Sequence, residues 1–264
     1  MRDVRRMSRR QFFLVLLLPL AFLAGCSRTD YSWGWYVVWP STDQGRTNLE
    51  FLIDGYLETI TLSVTAMSLS IAVGFLVSLP GLSSSRYARS CNRVYVETFR
   101  SIPMLVALLW VYYGLPVVLA VELGVFAAGV LALAICDSAF EAEIFRGGIQ
   151  SIEKGQFEAS SSLGLSYWHT MRYVVLPQAI RRILPPLGNQ FVYMLKMSSL
   201  VSVIGLTDLT RQANELTVTL YRPLEIYTVL VLEYLVLILI VSWLVRKLET
   251  RLGADVRAGA AASG

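Results

Sequence analysis

The side chains able to do chemistry in this 264-residue chain sit among apolar residues. Asp137, Glu141 and Glu143 follow the apolar run that begins at Gly124, Asn189 and Lys196 interrupt a later run, and Glu233 lies in a third. Ionisable groups in such runs are expensive in lipid, so they mark solute paths or internal ion pairs. Lys196 and Glu143 together carry the two charge signs that would hold a zwitterionic solute, and Asn189, Ser198 and Ser199 add neutral hydrogen-bonding groups. The same two charges could instead neutralise each other. Bond-breaking chemistry is poorly provided for. His169 is the only histidine, and Cys26, Cys91 and Cys136 show no metal-ligand spacing. No GxxxxGK[ST] loop is present to cradle nucleotide phosphates. The expectation is a non-enzyme with no catalytic residue, no metal site, no cofactor of its own and no nucleic acid to bind.

Those residues need a scaffold that works in lipid. The chain is 55% hydrophobic and 16% charged, against roughly 25% charged in soluble domains. Five stretches approach the roughly 20 apolar residues that cross a bilayer. They are Leu57 to Pro80, Pro103 to Val121, Gly124 to Phe140, Ile183 to Leu206, and Tyr227 to Val245. An all-α, polytopic membrane helix bundle follows, with Asn189 and Lys196 expected to face its interior. Arg86, Arg89 and Arg93 follow the first stretch, and Arg146, Lys154, Arg172, Arg181 and Arg182 lie between the third and fourth. Arg246, Lys247, Arg251 and Arg257 follow the fifth. The positive-inside rule puts these segments in the cytoplasm, the core's N-terminus outside and its C-terminus inside.

The N-terminus has a basic start, an apolar run and Leu23-Ala24-Gly25-Cys26, the pattern of a bacterial signal sequence. It resembles a lipoprotein signal with Cys26 as the lipidated residue; an uncleaved signal anchor reads equally well. Residues 1–26 are thus a signal-like segment, and 27–52 a periplasmic or interfacial one. A five-span domain is expected over 53–252, and a flexible cytoplasmic tail over 253–264.

One loop is longer and more polar than a connection needs to be. "GQFEASSSLGLSYWHTMRYVVLP" runs from Gly155 to Pro177. Gly164 tolerates a sharp backbone turn. Ser166 is a good N-cap for a second short helix, and Pro177 disfavours helix at the residue before it. A helix–turn–helix across the membrane face is expected, bedded down or carried into a partner's groove by Phe157 and Leu163, with Glu158 pairing with a partner's cation or capping a helix.

Glu158-Ala159-Ser160, three residues, Gly164, nine residues and Val174-Val175-Leu176-Pro177 resemble the EAA signature of permease subunits of bacterial ATP-binding-cassette importers. Ser160 and Val174 depart mildly from it. The flanking "AEIFRGGIQSIEKGQ", "LPQAIRRILPPLGNQF", "LVSVIGLTDLTRQANE" and "VETFRSIPMLVALLWVYYGLP" are similar to the polar amino acid uptake branch. Met197 stands where relatives place a polar residue. The resemblance implies the type I importer transmembrane fold in the bacterial inner membrane. It implies a coupling loop over 151–177, with Phe157, Glu158, Ala159, Leu163, Gly164, Leu176 and Pro177 at the ATPase contact. The partners it implies are ATPase subunits that carry ATP and Mg, a periplasmic or lipid-anchored amino acid binding protein, and a second permease, identical or paralogous. Transport of polar amino acids then runs on ATP hydrolysed by the partner. The alternative is a stand-alone secondary transporter of small zwitterions, a class that often shows inverted repeats.

Overall fold

The computed structural model describes residues 31–251, and the signal-like segment, Cys26 and the C-terminal tail lie outside them. Among the described residues the regular structure is helical throughout. In chain order the helices are α1 (Asp43–Leu82), α2 (Arg86–Ser101), α3 (Met104–Leu119), α4 (Val125–Gln150), α5 (Lys154–Ser162), α6 (Tyr167–Ile204), α7 (Leu209–Leu220) and α8 (Pro223–Arg251). Helices α1, α4 and α8 are each long and apolar enough to cross a membrane. Two bent pairs, α2 with α3 (97°) and α6 with α7 (47°), raise the number of candidate spans to five.

Sequence chemistry explains where these helices begin and bend. Thr42 caps α1, its hydroxyl accepting from the Gly45 N–H at 3.1 Å. The helix begins at Asp43, inside the segment read as interfacial, and its 40 residues span about 60 Å. That is about twice the ~30 Å hydrocarbon thickness, so its polar first turns extend beyond the apolar layer. Between α2 and α3, Pro103 holds Ile102 in an extended conformation (φ −84°, ψ 125°), and the chain turns there.

The tightest pairing is α1 against α4. The buried stripe of α1 is built from small residues: Thr59, Ser63, Ala66, Ser70, Gly74 and Ser78. Small residues let helix backbones approach closely in lipid. At Gly74 a Cβ would meet Glu141 Cβ at 2.5 Å and the Ser138 carbonyl at 2.9 Å, so only glycine fits this crossing. The hydroxyls of Thr59 and Ser63 donate back to Gly55 O (2.9 Å) and Thr59 O (2.7 Å), so the stripe costs no unsatisfied donors. Leu62, Leu108, Leu133, Met194 and Val201 fill the main core around this crossing. Helix α8 buries little within the chain and presents Leu232, Leu235, Leu239 and Trp243 outward.

Candidate functional site

The loop between α4 and α6 is anchored by its own small core. Ile152, Val175, Ala179 and Ile183 are buried there, with Phe157 and Met171 packed against them. Gln178 Nε2 donates to Gln156 Oε1 at 3.2 Å, and an Arg182 N–H donates to the Ser151 carbonyl. These contacts tie α5 to the start of α6.

Helix α5 ends in a Schellman arrangement. Gly164 takes φ +76°, its N–H donates to Ser161 O at 2.9 Å, and the Leu165 N–H donates to Ser160 O at 3.1 Å. A residue with a Cβ is strained at that φ. Ser166 then caps α6, accepting from the His169 N–H at 3.4 Å and sharing a 2.6 Å hydrogen bond with its Nδ1. Leu163 and Trp168 stand 80% exposed at this turn, beside exposed Tyr167 and Glu158.

The expected residues therefore divide. Phe157 faces inward as the anchor, whereas Glu158, Ala159, Leu163 and Gly164 lie outward, with Leu176 and Pro177 exposed further along α6. Trp168 completes the outer surface. Sequence reasoning passed over it, although a tryptophan in a polar loop was a usable signal.

Pro177 does not end a helix, contrary to expectation. Leu176 is helical (φ −60°, ψ −43°), and a π-turn over Thr170–Val175 leads into the proline. A proline clashes with the carbonyl four residues back, and a widened turn moves that carbonyl aside. The same device precedes Pro116, where Trp110–Gly114 form a π-turn.

The intramembrane polar groups also sort differently from the sequence expectation. Glu143 pairs with Arg146, its own helix neighbour, at 2.6 and 2.9 Å. Lys196 is not its partner. It is exposed with Asn189 on the outer edge of α6, in a 460 Å³ groove against α8 that also contains Tyr193, Ser242, Arg246 and Glu249. Ser198 and Ser199 donate to the carbonyls of Leu195 and Lys196, each at 2.8 Å, so both hydroxyls are satisfied on α6 itself. Gln190 of α6 reaches inward to α4, donating to Asp137 Oδ1 at 2.5 Å while Ser70 donates to Asp137 Oδ2 at 2.7 Å. Glu141 is fully buried, and neither carboxyl oxygen has a hydrogen-bond partner among the described residues. Glu143 lines a 740 Å³ cavity with Arg100, Phe140, Arg182, Pro186 and Gln190. The cavity carries both charge signs. Arg100 and Gln190 were not singled out in the sequence, because their helix faces cannot be assigned without the helix crossings.

The family described as "Binding-protein-dependent transport system inner membrane component" matches residues 69–254, which contain this loop and both cavities. The chain belongs to that family. Among its relatives, the glutamine transport system permease protein GlnP of Escherichia coli (strain K12) is 36% identical over 219 residues, 83% of this chain and 97% of the relative. The probable glutamine ABC transporter permease protein GlnM of Bacillus subtilis (strain 168) is 38% identical over 205 residues, 78% of this chain and 94% of the relative. A crystal structure of an amino acid ABC transporter with histidines superposes with a TM-score of 0.73 at 41% identity, covering 78% of this chain and 96% of that one. The fold is the type I importer transmembrane fold shared by this family, and the chain is membrane-embedded.

Proposed function

We propose that this chain is the permease subunit of an importer for polar amino acids, with glutamine the first substrate to test. The glutamine permeases among its relatives and the amino acid transporter fold support the substrate class. The energy comes from ATP hydrolysed on a separate subunit. Residues 151–177 dock on that subunit through Glu158, Ala159, Leu163 and Trp168, and Phe157 and Gly164 hold the turn in shape. The observation that carries this reading is the exposure of Leu163 and Trp168 on a loop whose underside is fully packed. Large apolar side chains held outward on a braced turn suit a partner's groove.

In this reading the cavity beside Glu143 is the inner part of the solute path, where guanidinium and carboxylate groups suit the two ends of a zwitterion. Lys196 and Asn189 meet the solute or the second permease, identical or paralogous, along the α6–α8 groove. The core's N-terminus is outside, its C-terminus inside, and Cys26 is the lipidation candidate. Family membership disfavours the stand-alone secondary transporter. Affinity purification of the chain from its native membrane tests the docking assignment. Stable recovery of an ATPase subunit, lost in Leu163→Ala/Trp168→Ala, is expected; equal recovery in wild type and variant contradicts it.

A further inference from the structure

Helix α2 carries Arg86, Arg89, Arg93 and Arg100 at spacings of three, four and seven residues, which places all four on one helical stripe. A second stripe holds exposed Tyr87 and Val94 (87% and 62%), beside an apolar groove lined by Cys91, Val94, Tyr95 and Phe99. The buried edge holds Asn92 and Val96, with Asn92 Nδ2 donating to Val77 O at 2.7 Å. A basic stripe, a lipid-facing stripe and an anchored edge describe a helix lying in a membrane interface. The 97° bend to α3 has the same meaning: where α3 crosses the membrane, α2 runs along its surface.

The basic stripe does not simply face water. Arg89, Arg93 and Arg100 converge with Arg146 of α4 on a 270 Å³ pocket at the end of α1, closed by Asn92 and Gly81. Gly81 lets the helices meet there, since a Cβ would lie 2.8 Å from Asn92 Oδ1. Glu97 and Glu143 supply the pocket's negative charge, so four guanidiniums face two carboxylates. Glu143 is taken up by Arg146. Arg89 gives one nitrogen to the Ser83 and Ser84 carbonyls at 2.9 and 2.8 Å, and the Arg100 guanidinium lies 5.0 Å from the Phe140 ring centroid. Among the described residues, none of Arg89, Arg93 and Arg100 forms a salt bridge with a carboxylate. Two positive charges remain in excess, on donors whose fork geometry fits a phosphate.

We propose that this pocket is a binding site for the phosphate of an anionic phospholipid, with the acyl chains running along the Tyr87–Val94 side of α2. The apolar stripe on the same helix selects a lipid over a free anion, because it lies about a third of a turn around α2 from the arginines and can take the hydrocarbon of a lipid whose headgroup they hold. The excess positive charge selects an anionic headgroup over a zwitterionic choline. The pocket shares Arg100 and Glu143 with the cavity proposed for the solute, whereas Arg89, Arg93 and Arg146 line the pocket alone.

Photo-crosslinking to the complete importer complex in phosphatidylcholine nanodiscs tests this. The probe is phosphatidylglycerol with a diazirine in its headgroup. Labelling is expected on peptides containing residues 86–101 or 143–150. Unlabelled phosphatidylglycerol suppresses it, and inorganic phosphate does not. Arg93→Gln/Arg100→Gln reduces labelling about tenfold or more, given the contribution of each basic side chain at an anionic membrane surface, and Arg93→Lys/Arg100→Lys restores most of it. The wild-type map stands alone if the Gln variant fails to assemble. Labelling scattered over other peptides, or unchanged in an assembled double variant, overturns the proposal. Suppression by inorganic phosphate assigns the pocket to a free anion and overturns the lipid.

Discussion

Asp137 and Glu141 are both buried in α4, one turn apart, yet only Asp137 is satisfied, by Ser70 from α1 and Gln190 from α6. Two hydrogen bonds from different helices make Asp137 a three-helix junction. Removing one donor leaves a buried acceptor short of a partner, which costs about 1–3 kcal/mol. Gln190→Leu is therefore expected to lower the midpoint of thermal unfolding in detergent, and Gln190→Glu to lower it further by setting two carboxyl groups against each other. An unchanged midpoint in both would remove the junction from the stability of the bundle. Lys196 behaves differently. It is exposed and has no bond to Glu143, so Lys196→Met is expected to shift stability by no more than about 0.5 kcal/mol. Arg146→Met breaks a half-exposed pair and costs on the order of 1 kcal/mol after allowance for solvent. If Lys196→Met proves the more damaging of the two in the same unfolding assay, the separation of Glu143 from Lys196 is wrong.

The turn proposed to dock on the ATPase subunit joins the end of α5 to the start of α6. Its shape depends on a positive φ and two hydrogen bonds at the end of α5, one of them from the Gly164 N–H itself. Gly164→Pro removes that N–H and fixes φ near −65°, so it is expected to abolish stimulation of the partner's ATPase while leaving membrane insertion intact. Full stimulation in a normally inserted variant would contradict the docking role proposed for the turn. This loop was legible in sequence because glycine, serine cap and spacing each carry a local backbone meaning. The long apolar helices α1, α4 and α8 were legible as well, since a run of roughly 20 apolar residues is what a bilayer crossing requires. Helix extents were not. The first turns of α1 are too polar to register as a span, and Pro177 read as a break although a π-turn carries the helix through it. Residue pairing across helices was the least legible feature. Glu143 and Lys196 looked complementary in a one-dimensional reading, but α6 turns Gln190 inward and Lys196 outward.

Among the described residues two large apolar surfaces are exposed: the outer face of α8, with Leu232, Leu235, Leu239 and Trp243, and the outer face of the turn at Leu163 and Trp168. Transport is proposed to run on ATP hydrolysed elsewhere and delivered through residues 151–177. Uptake of labelled glutamine into proteoliposomes measures it most directly. The vesicles contain the permease with or without its ATPase subunit, the binding protein is supplied on the opposite face, and ATP is supplied on the ATPase side. Accumulation is expected only when ATPase, binding protein and hydrolysable ATP are all present, with loss in Gly164→Pro. Accumulation by the permease alone, driven by an ion gradient and indifferent to ATP, would contradict it.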